Sequence, residues 1–202
     1  MTVRNGVVVP FFDFTGLPWN PKPYSPDQIP EQWRNWLLDS GSLTQRLKQE
    51  CQNSFKVRVV KHECEMPTDS EQNFLNQPAI EANIREVLLI CDDKPRVFAR
   101  SVLPLTSLEG ANRELLELGN RPLGEFLFTH PAMKRGPFEI AALPARQFNA
   151  HLDQSYENET AWGRRSLFYL NDKPISVCEI FLPDYSNHDE ENLHDKEVTH
   201  VT

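Results

Sequence analysis

With 202 residues, 39% of them hydrophobic and 25% charged, the chain is long enough to form one domain with a substantial core. No apolar run reaches the ~18 residues of a membrane-spanning helix, and Val7-Val8-Val9-Pro10-Phe11-Phe12 lacks the basic flank and cleavage site of a secretory signal, so a cytoplasmic location is expected. The net charge of −8 is concentrated at the end, where Asp184, Asp189, Glu190, Glu191, Asp195 and Glu197 against Lys196 give −5; the remaining −3 leaves no basic stripe for nucleic acid.

Residues 1–29 interleave Pro10, Pro18, Pro21, Pro23 and Pro26 with Phe11, Phe12, Phe14, Trp19 and Tyr24. So much proline excludes a regular helix or central strand and predicts an extended arm that packs its aromatics on the body. From Pro30 a short helix is expected, with Trp33, Trp36 and Leu37 on one face and a stop near Gly41. Ser42 begins a second: Ser42 and Gln45 have capping-box spacing, and Leu43, Leu47 and Cys51 recur at helical intervals. Phe55 to Glu65 reads as an edge strand and Met66 to Pro78 as a loop.

The stretch Ile84 to Pro104, IREVLLICDDKPRVFARSVLP, reads as a β-hairpin turning at Asp92-Asp93-Lys94-Pro95. A loop of two or four residues sets Cys91 against Arg96, Val87 against Arg100 and Arg85 against Val102, so that Arg85 and Arg100 share a face. Two guanidinium groups about 7–8 Å apart would then converge on one small anion. A three-residue loop would put them on opposite faces.

After Pro104 a helix is expected to end near Gly119, and another begins at Pro122-Leu123. Gly119 reads as a helix C-cap and Gly124 as a packing contact, with close approach of a ligand to the main chain as the alternative. Phe138-Glu139-Ile140 begins a strand, and residues 141–160 read as a polar surface excursion. A second hairpin follows at Gly163 to Pro183, GRRSLFYLNDKPISVCEIFLP. It matches the first at Arg85 with Arg164, at Asp93-Lys94-Pro95 with Asp172-Lys173-Pro174, and at Arg100 with Glu179. Arginines and a carboxylate in apolar strands are costly to bury unless they pair with each other or with a ligand. Residues 184–202 form an acidic tail expected to be disordered. The expected division is thus an arm at 1–29, one domain at 30–183 and the tail.

Other chemistries lack their signals. Cys51, Cys64, Cys91 and Cys178 show no CxxC or framework spacing and read as reduced core residues. His62, Glu63, Cys64 and Glu65 are adjacent, so in a strand they alternate faces, and no metal is required. The chain has no GxSxG elbow, P-loop or GxGxxG.

Taken in order, WLLDSGSLTQRL, IREVLLICDDKPRVFARSVLP, LGNRPLGEFLF and WGRRSLFYLNDKPISVCEIFLPD resemble the chorismate pyruvate-lyase family, from about Trp36 to Pro183. That family releases pyruvate from chorismate to give 4-hydroxybenzoate, a quinone precursor. The resemblance implies an α+β fold, an antiparallel sheet of about six strands with helices packed on it, enclosing a ligand site. It implies chorismate as the small-molecule partner, no cofactor and a monomer. It assigns Arg85 to the ring carboxylate, Glu179 to the 4-hydroxyl end, and backbone groups of Leu43 and Leu123 to the ligand. Arg100 matches a further arginine beside the site, expected to stabilise the departing enolpyruvate. The alternative is a sensing module of the same fold that binds an aromatic acid without chemistry; such modules usually follow a helix-turn-helix domain, for which the arm is too short and proline-rich.

Overall fold

A computed structural model describes residues 2–4, 7–9, 18–19, 26–152 and 156–183. The acidic tail and most of the N-terminal arm lie outside the described residues. Near the N-terminus, β1 (Thr2–Arg4) and β2 (Val7–Val9) pair antiparallel.

The body is the expected α+β arrangement. Strands β3 (Phe55–Glu65), β4 (Ala82–Cys91), β5 (Lys94–Pro104), β6 (Met133–Pro144), β7 (Thr160–Leu170) and β8 (Lys173–Phe181) form one six-stranded sheet, ordered β3-β4-β5-β8-β7-β6. Every strand pair in it is antiparallel. One face carries α1 (Glu31–Leu37), α2 (Leu43–Glu50) and α4 (Leu123–Thr129); the other carries α3 (Asp69–Leu75) and the 3-10 segment Ala145–His151. Because both faces are covered, all ten residues of β4 are buried, which explains its nearly continuous apolar run. No helix among the described residues is long and apolar enough to cross a membrane.

The helix termini follow local chemistry. Ser42 Oγ accepts from Gln45 N at 3.3 Å at the start of α2. Gly119, at φ +52°, lets the chain reverse after the 3-10 segment Gly110–Glu117 and enter α4. The region 66–78 is not simply a loop. Thr68 and Glu71 form a reciprocal capping box that starts α3. Nor is the stretch after Ile140 a surface excursion: β6 continues to Pro144, and Phe148 and Tyr156 are buried against the far face of the sheet.

The first hairpin departs from expectation in its register. Its turn is two residues, Asp92-Asp93, both at positive φ, with Cys91 opposite Lys94. Ile90 then faces Pro95 but Leu89 faces Val97, so Arg96 is an extra residue on β5. That one-residue bulge flips every later side chain of β5, because side chains alternate with period two. Arg85 therefore faces Ser101, Arg100 faces Glu86, and the two arginines lie on opposite faces. The second hairpin turns at Asn171-Asp172 in the same way and has no bulge, which sets Glu179 opposite Arg164.

The cysteines also differ from expectation. Cys51, at the C-cap of α2, lies over Cys91 at the end of β4 with 5.2 Å between Cα atoms, and the two are disulfide-bonded. Cys64 and Cys178 are free, and burial pushes the Cys178 thiol up. The pairing is invisible to spacing rules because it joins residues 40 apart through the tertiary fold.

Candidate active site

Between the sheet and the helix pair α2 and α4 lies a small cavity of about 40 Å³. Its floor is Arg85, Val87 and Leu89 of β4, Ala99 and Ser101 of β5, and Val177 and Glu179 of β8. These share one face because Ala99 is registered with Glu179 and Ser101 with Val177. Leu43 and Thr44 of α2 and Leu123, Gly124 and Leu127 of α4 close it from above. Four of the residues assigned from sequence, Arg85, Glu179, Leu43 and Leu123, therefore meet at one cavity. Leu43 and Leu123 are the first residues of their helices, where backbone N–H groups have no partner within the helix.

Arg85 is 1% exposed. Its Nη2 donates to the carbonyls of Gly119 and Arg121, both at 3.0 Å, while its Nε has no hydrogen-bond partner. Among the described residues no carboxylate lies within ion-pairing distance of it. Burial pulls its pKa down to about 10, which still leaves it charged at neutral pH. A buried, uncompensated guanidinium beside a cavity is a standing demand for an anion.

Glu179 is held from one side. Its Oε2 accepts from Arg164 Nε at 2.6 Å and lies 3.7 Å from Arg135 Nη2. Arg164 Nη1 also donates to the carbonyls of Trp36 and Asp39, at 2.7 and 2.6 Å. Arg135 donates to Ser166 Oγ at 3.0 Å and to the carbonyls of Ser40 and Gly41, and stacks 4.3 Å from the centre of the Phe138 ring. Burial lowers the Arg135 pKa to about 10, with Glu179 opposing. Sequence reasoning missed Arg135 altogether. Arg164 was visible through its match to Arg85, but nothing showed that it would reach Glu179.

Arg100 is not brought to this site. The bulge at Arg96 directs it to the far face, where it donates to Glu71 at 2.7 and 3.0 Å and to Glu86 at 2.6 Å, with Glu65 at 3.7 Å. Burial alone would lower its pKa, but Glu71 and Glu86 outweigh that and raise it. Since Glu71 is also the capping-box residue of α3, Arg100 fastens that helix to the sheet.

The roof is tight. A Cβ on Gly124 would come 2.6 Å from Thr44 Oγ1, so the main chain of α4 lies directly against the Thr44 side chain of α2 at this point. Lys48 of α2 and Glu125 of α4 form an ion pair across the same seam. Outside it lies an open groove of about 700 Å³, whose lining shares Pro122 and Phe128 with that of the cavity.

The family model described as chorismate lyase matches residues 20–190. A probable chorismate pyruvate-lyase of Shewanella loihica is 43% identical over 167 residues, covering 79% of this chain and 86% of the relative. One of Psychromonas ingrahamii is 39% identical over 166 residues, covering 79% and 87%. Among solved structures, the C-terminal domain of a histidine utilization repressor from Pseudomonas syringae is similar with a TM-score of 0.53 at 12% identity, over 65% of this chain and 94% of that one. The ligand-binding domain of a putative GntR-family regulator from Bordetella bronchiseptica has a TM-score of 0.50 at 17% identity, over 66% and 87%. These two likenesses concern the fold alone. The match of sequence along most of both chains, on a sheet of this topology, settles the kinship: the chain belongs to the chorismate lyase family.

Proposed function

We propose that the protein is a chorismate pyruvate-lyase that converts chorismate to 4-hydroxybenzoate and pyruvate. The observation that carries this reading is the pairing, at one cavity, of an uncompensated buried Arg85 with an anchored carboxylate, Glu179. Family membership and the names of the relatives support it.

Chorismate carries a carboxylate on its ring and, on the opposite ring carbon, a hydroxyl. Arg85 binds the ring carboxylate with the N–H groups left free by its two carbonyl contacts. Glu179 accepts the 4-hydroxyl proton in a hydrogen bond, and main-chain groups at Leu43 and Leu123 complete the enclosure. The enolpyruvyl ether sits on the carbon next to the hydroxyl, and so at the Glu179 end. Charge developing on the departing enolpyruvate therefore falls near Arg135, not near Arg100.

The reaction breaks the ring C–O bond, removes the proton from the neighbouring hydroxyl-bearing carbon and forms an aromatic ring; the enolpyruvate released becomes pyruvate. Aromatisation supplies the driving force, so orientation, exclusion of water and charge complementarity are the protein's contributions. A cavity of about 40 Å³ has room for a few waters and not for a substituted ring, so the site must widen to admit one. The product would serve as a ring precursor of ubiquinone or plastoquinone in the cytoplasm.

The test is incubation of the purified protein with chorismate and a chelator, following both products by chromatography. Equimolar release of 4-hydroxybenzoate and pyruvate is expected, with Arg85→Ala reducing turnover at least 100-fold. Tight binding of 4-hydroxybenzoate without turnover of chorismate would replace the lyase by the sensing module.

A further inference from the structure

The chain is built from two similar halves, and its site is where they differ. The sheet order β3-β4-β5-β8-β7-β6 reads alike from both edges when β3 is matched with β6, β4 with β7 and β5 with β8. The helical elements follow: α2 before β3 corresponds to α4 before β6, and α3 between β3 and β4 to Ala145–His151 between β6 and β7. Arg85 on β4 and Arg164 on β7 are then counterparts, each 1% exposed.

Their contacts correspond too, crosswise. Arg164 donates to the carbonyl of Asp39, four residues before α2 starts at Leu43. Arg85 donates to the carbonyl of Gly119, four residues before α4 starts at Leu123. Each half thus uses its arginine to fasten the roof helix of the other.

What differs is the residue across the hairpin. Arg164 is registered with Glu179, which pairs with it at 2.6 Å. Arg85 is registered with Ser101, which carries no charge. Both Ser101 and Glu179 line the cavity.

We propose that Ser101 and Glu179 are the specificity-determining pair of the site: serine leaves Arg85 open to a carboxylate, and glutamate closes Arg164 to one. This inference rests on the lyase reading and explains its ligand class, a six-membered ring with a carboxylate at one end and a hydroxyl opposite. Three strand spacings and a two-residue offset along the strands put the two arginine Cα atoms roughly 16 Å apart. Benzene-1,4-dicarboxylate is the same para-substituted ring with a second carboxylate in place of the hydroxyl, and so presents that charge at the Glu179 end.

Exchanging the residues therefore exchanges the ligand. Glu179→Ser frees Arg164 and leaves Arg135 without its carboxylate, which lowers stability, but Arg164 keeps its two carbonyl acceptors and Arg135 keeps Ser166 and the carbonyls of Ser40 and Gly41. Ser101→Glu closes Arg85. The double variant restores one open and one closed arginine, with the site turned end for end.

The experiment is calorimetric binding of 4-hydroxybenzoate and of benzene-1,4-dicarboxylate to the wild type, E179S, S101E and S101E/E179S, each checked for a cooperative thermal transition. The wild type is expected to prefer the hydroxy acid by at least tenfold and E179S to prefer the diacid. S101E should lose at least tenfold in affinity for 4-hydroxybenzoate, and the double variant should regain most of it. A folded E179S that keeps the wild-type preference overturns the inference, as does a folded S101E that binds 4-hydroxybenzoate normally. If S101E does not fold, E179S decides alone. A wild type that converts chorismate while the variants fail to reorder the acids removes only this inference; a wild type that binds neither acid removes the lyase reading as well.

Discussion

Two buried arginines on neighbouring strands, one residue out of register and so on opposite faces, show how environment, not residue type, assigns a role. Arg100 is surrounded by Glu65, Glu71 and Glu86 and is fully engaged inside the fold. Arg85 has two carbonyl acceptors and, among the described residues, no carboxylate, so its charge remains to be answered by a ligand. Removing one partner from a buried ion cluster leaves the others uncompensated, which costs about 3–5 kcal/mol. Arg100→Ala should therefore lower the free energy of unfolding by about that amount in urea titrations while the folded fraction keeps kcat within a few-fold of wild type. Arg85→Ala should do the reverse, with turnover lost and stability little changed, because a buried charge is removed along with its hydrogen bonds. Loss of chemistry in a folded Arg100→Ala protein would return Arg100 to the site.

At the scale of elements, the turn chemistry of both hairpins was legible in the sequence, since Asp92-Asp93 and Asn171-Asp172 are residues that accept positive φ. The face of each arginine was not. It depends on whether a bulge follows the turn, and nothing in the composition around Arg96 marks it as the extra residue. Helix α3 was legible but unread: Thr68 and Glu71 stand at capping-box spacing. The turn also does work at a distance. The Asp92 carboxylate accepts from the N–H groups of Ser54, Gln52 and Asn53 at 2.8, 2.9 and 2.7 Å, and these bonds hold its pKa below the usual aspartate value. A carboxyl with a depressed folded pKa stabilises the fold above its unfolded value of about 3.9, and the contribution disappears as pH falls through the folded one. Asp92→Asn keeps the turn but should lower the urea midpoint at pH 7 and show a shallower decline below pH 4 than wild type. The roof offers a sharper test. Gly124→Ala drives a Cβ into Thr44 Oγ1 and should cost about 1–3 kcal/mol while loosening ligand binding, whereas Thr44→Ala in the same chain removes the obstructing oxygen. A double-mutant cycle on 4-hydroxybenzoate affinity should show positive coupling between the two positions; additive losses would mean that the contact does not set the closure.

Across the whole molecule, the duplicated plan makes the two roof helices interchangeable in position but not in attachment. The start of α2 is tied to the sheet by Arg164 and Arg135 through the carbonyls of Asp39, Ser40 and Gly41, and its end is tied covalently through Cys51 to Cys91. For α4, Arg85 holds the carbonyls of Gly119 and Arg121 ahead of its start, and the Cys51–Cys91 bond has no counterpart at its C-cap, His130. If the cavity opens by parting of the two helices, α4 is the one with freedom to move. The disulfide closes a loop of sequence separation 40, for which the loss of unfolded-chain entropy amounts to about 4 kcal/mol. Cys51→Ser with Cys91→Ser should accordingly lower stability by up to that amount, and a reductant should lower the wild type to the level of the variant while leaving the variant unchanged. Because the residues that face the ligand sit at the other end of α2, the affinity for 4-hydroxybenzoate measured well below the melting temperature should stay within about threefold in both cases. A large loss of affinity on reduction would instead make α2 the mobile helix, with the covalent tie holding the site itself in shape.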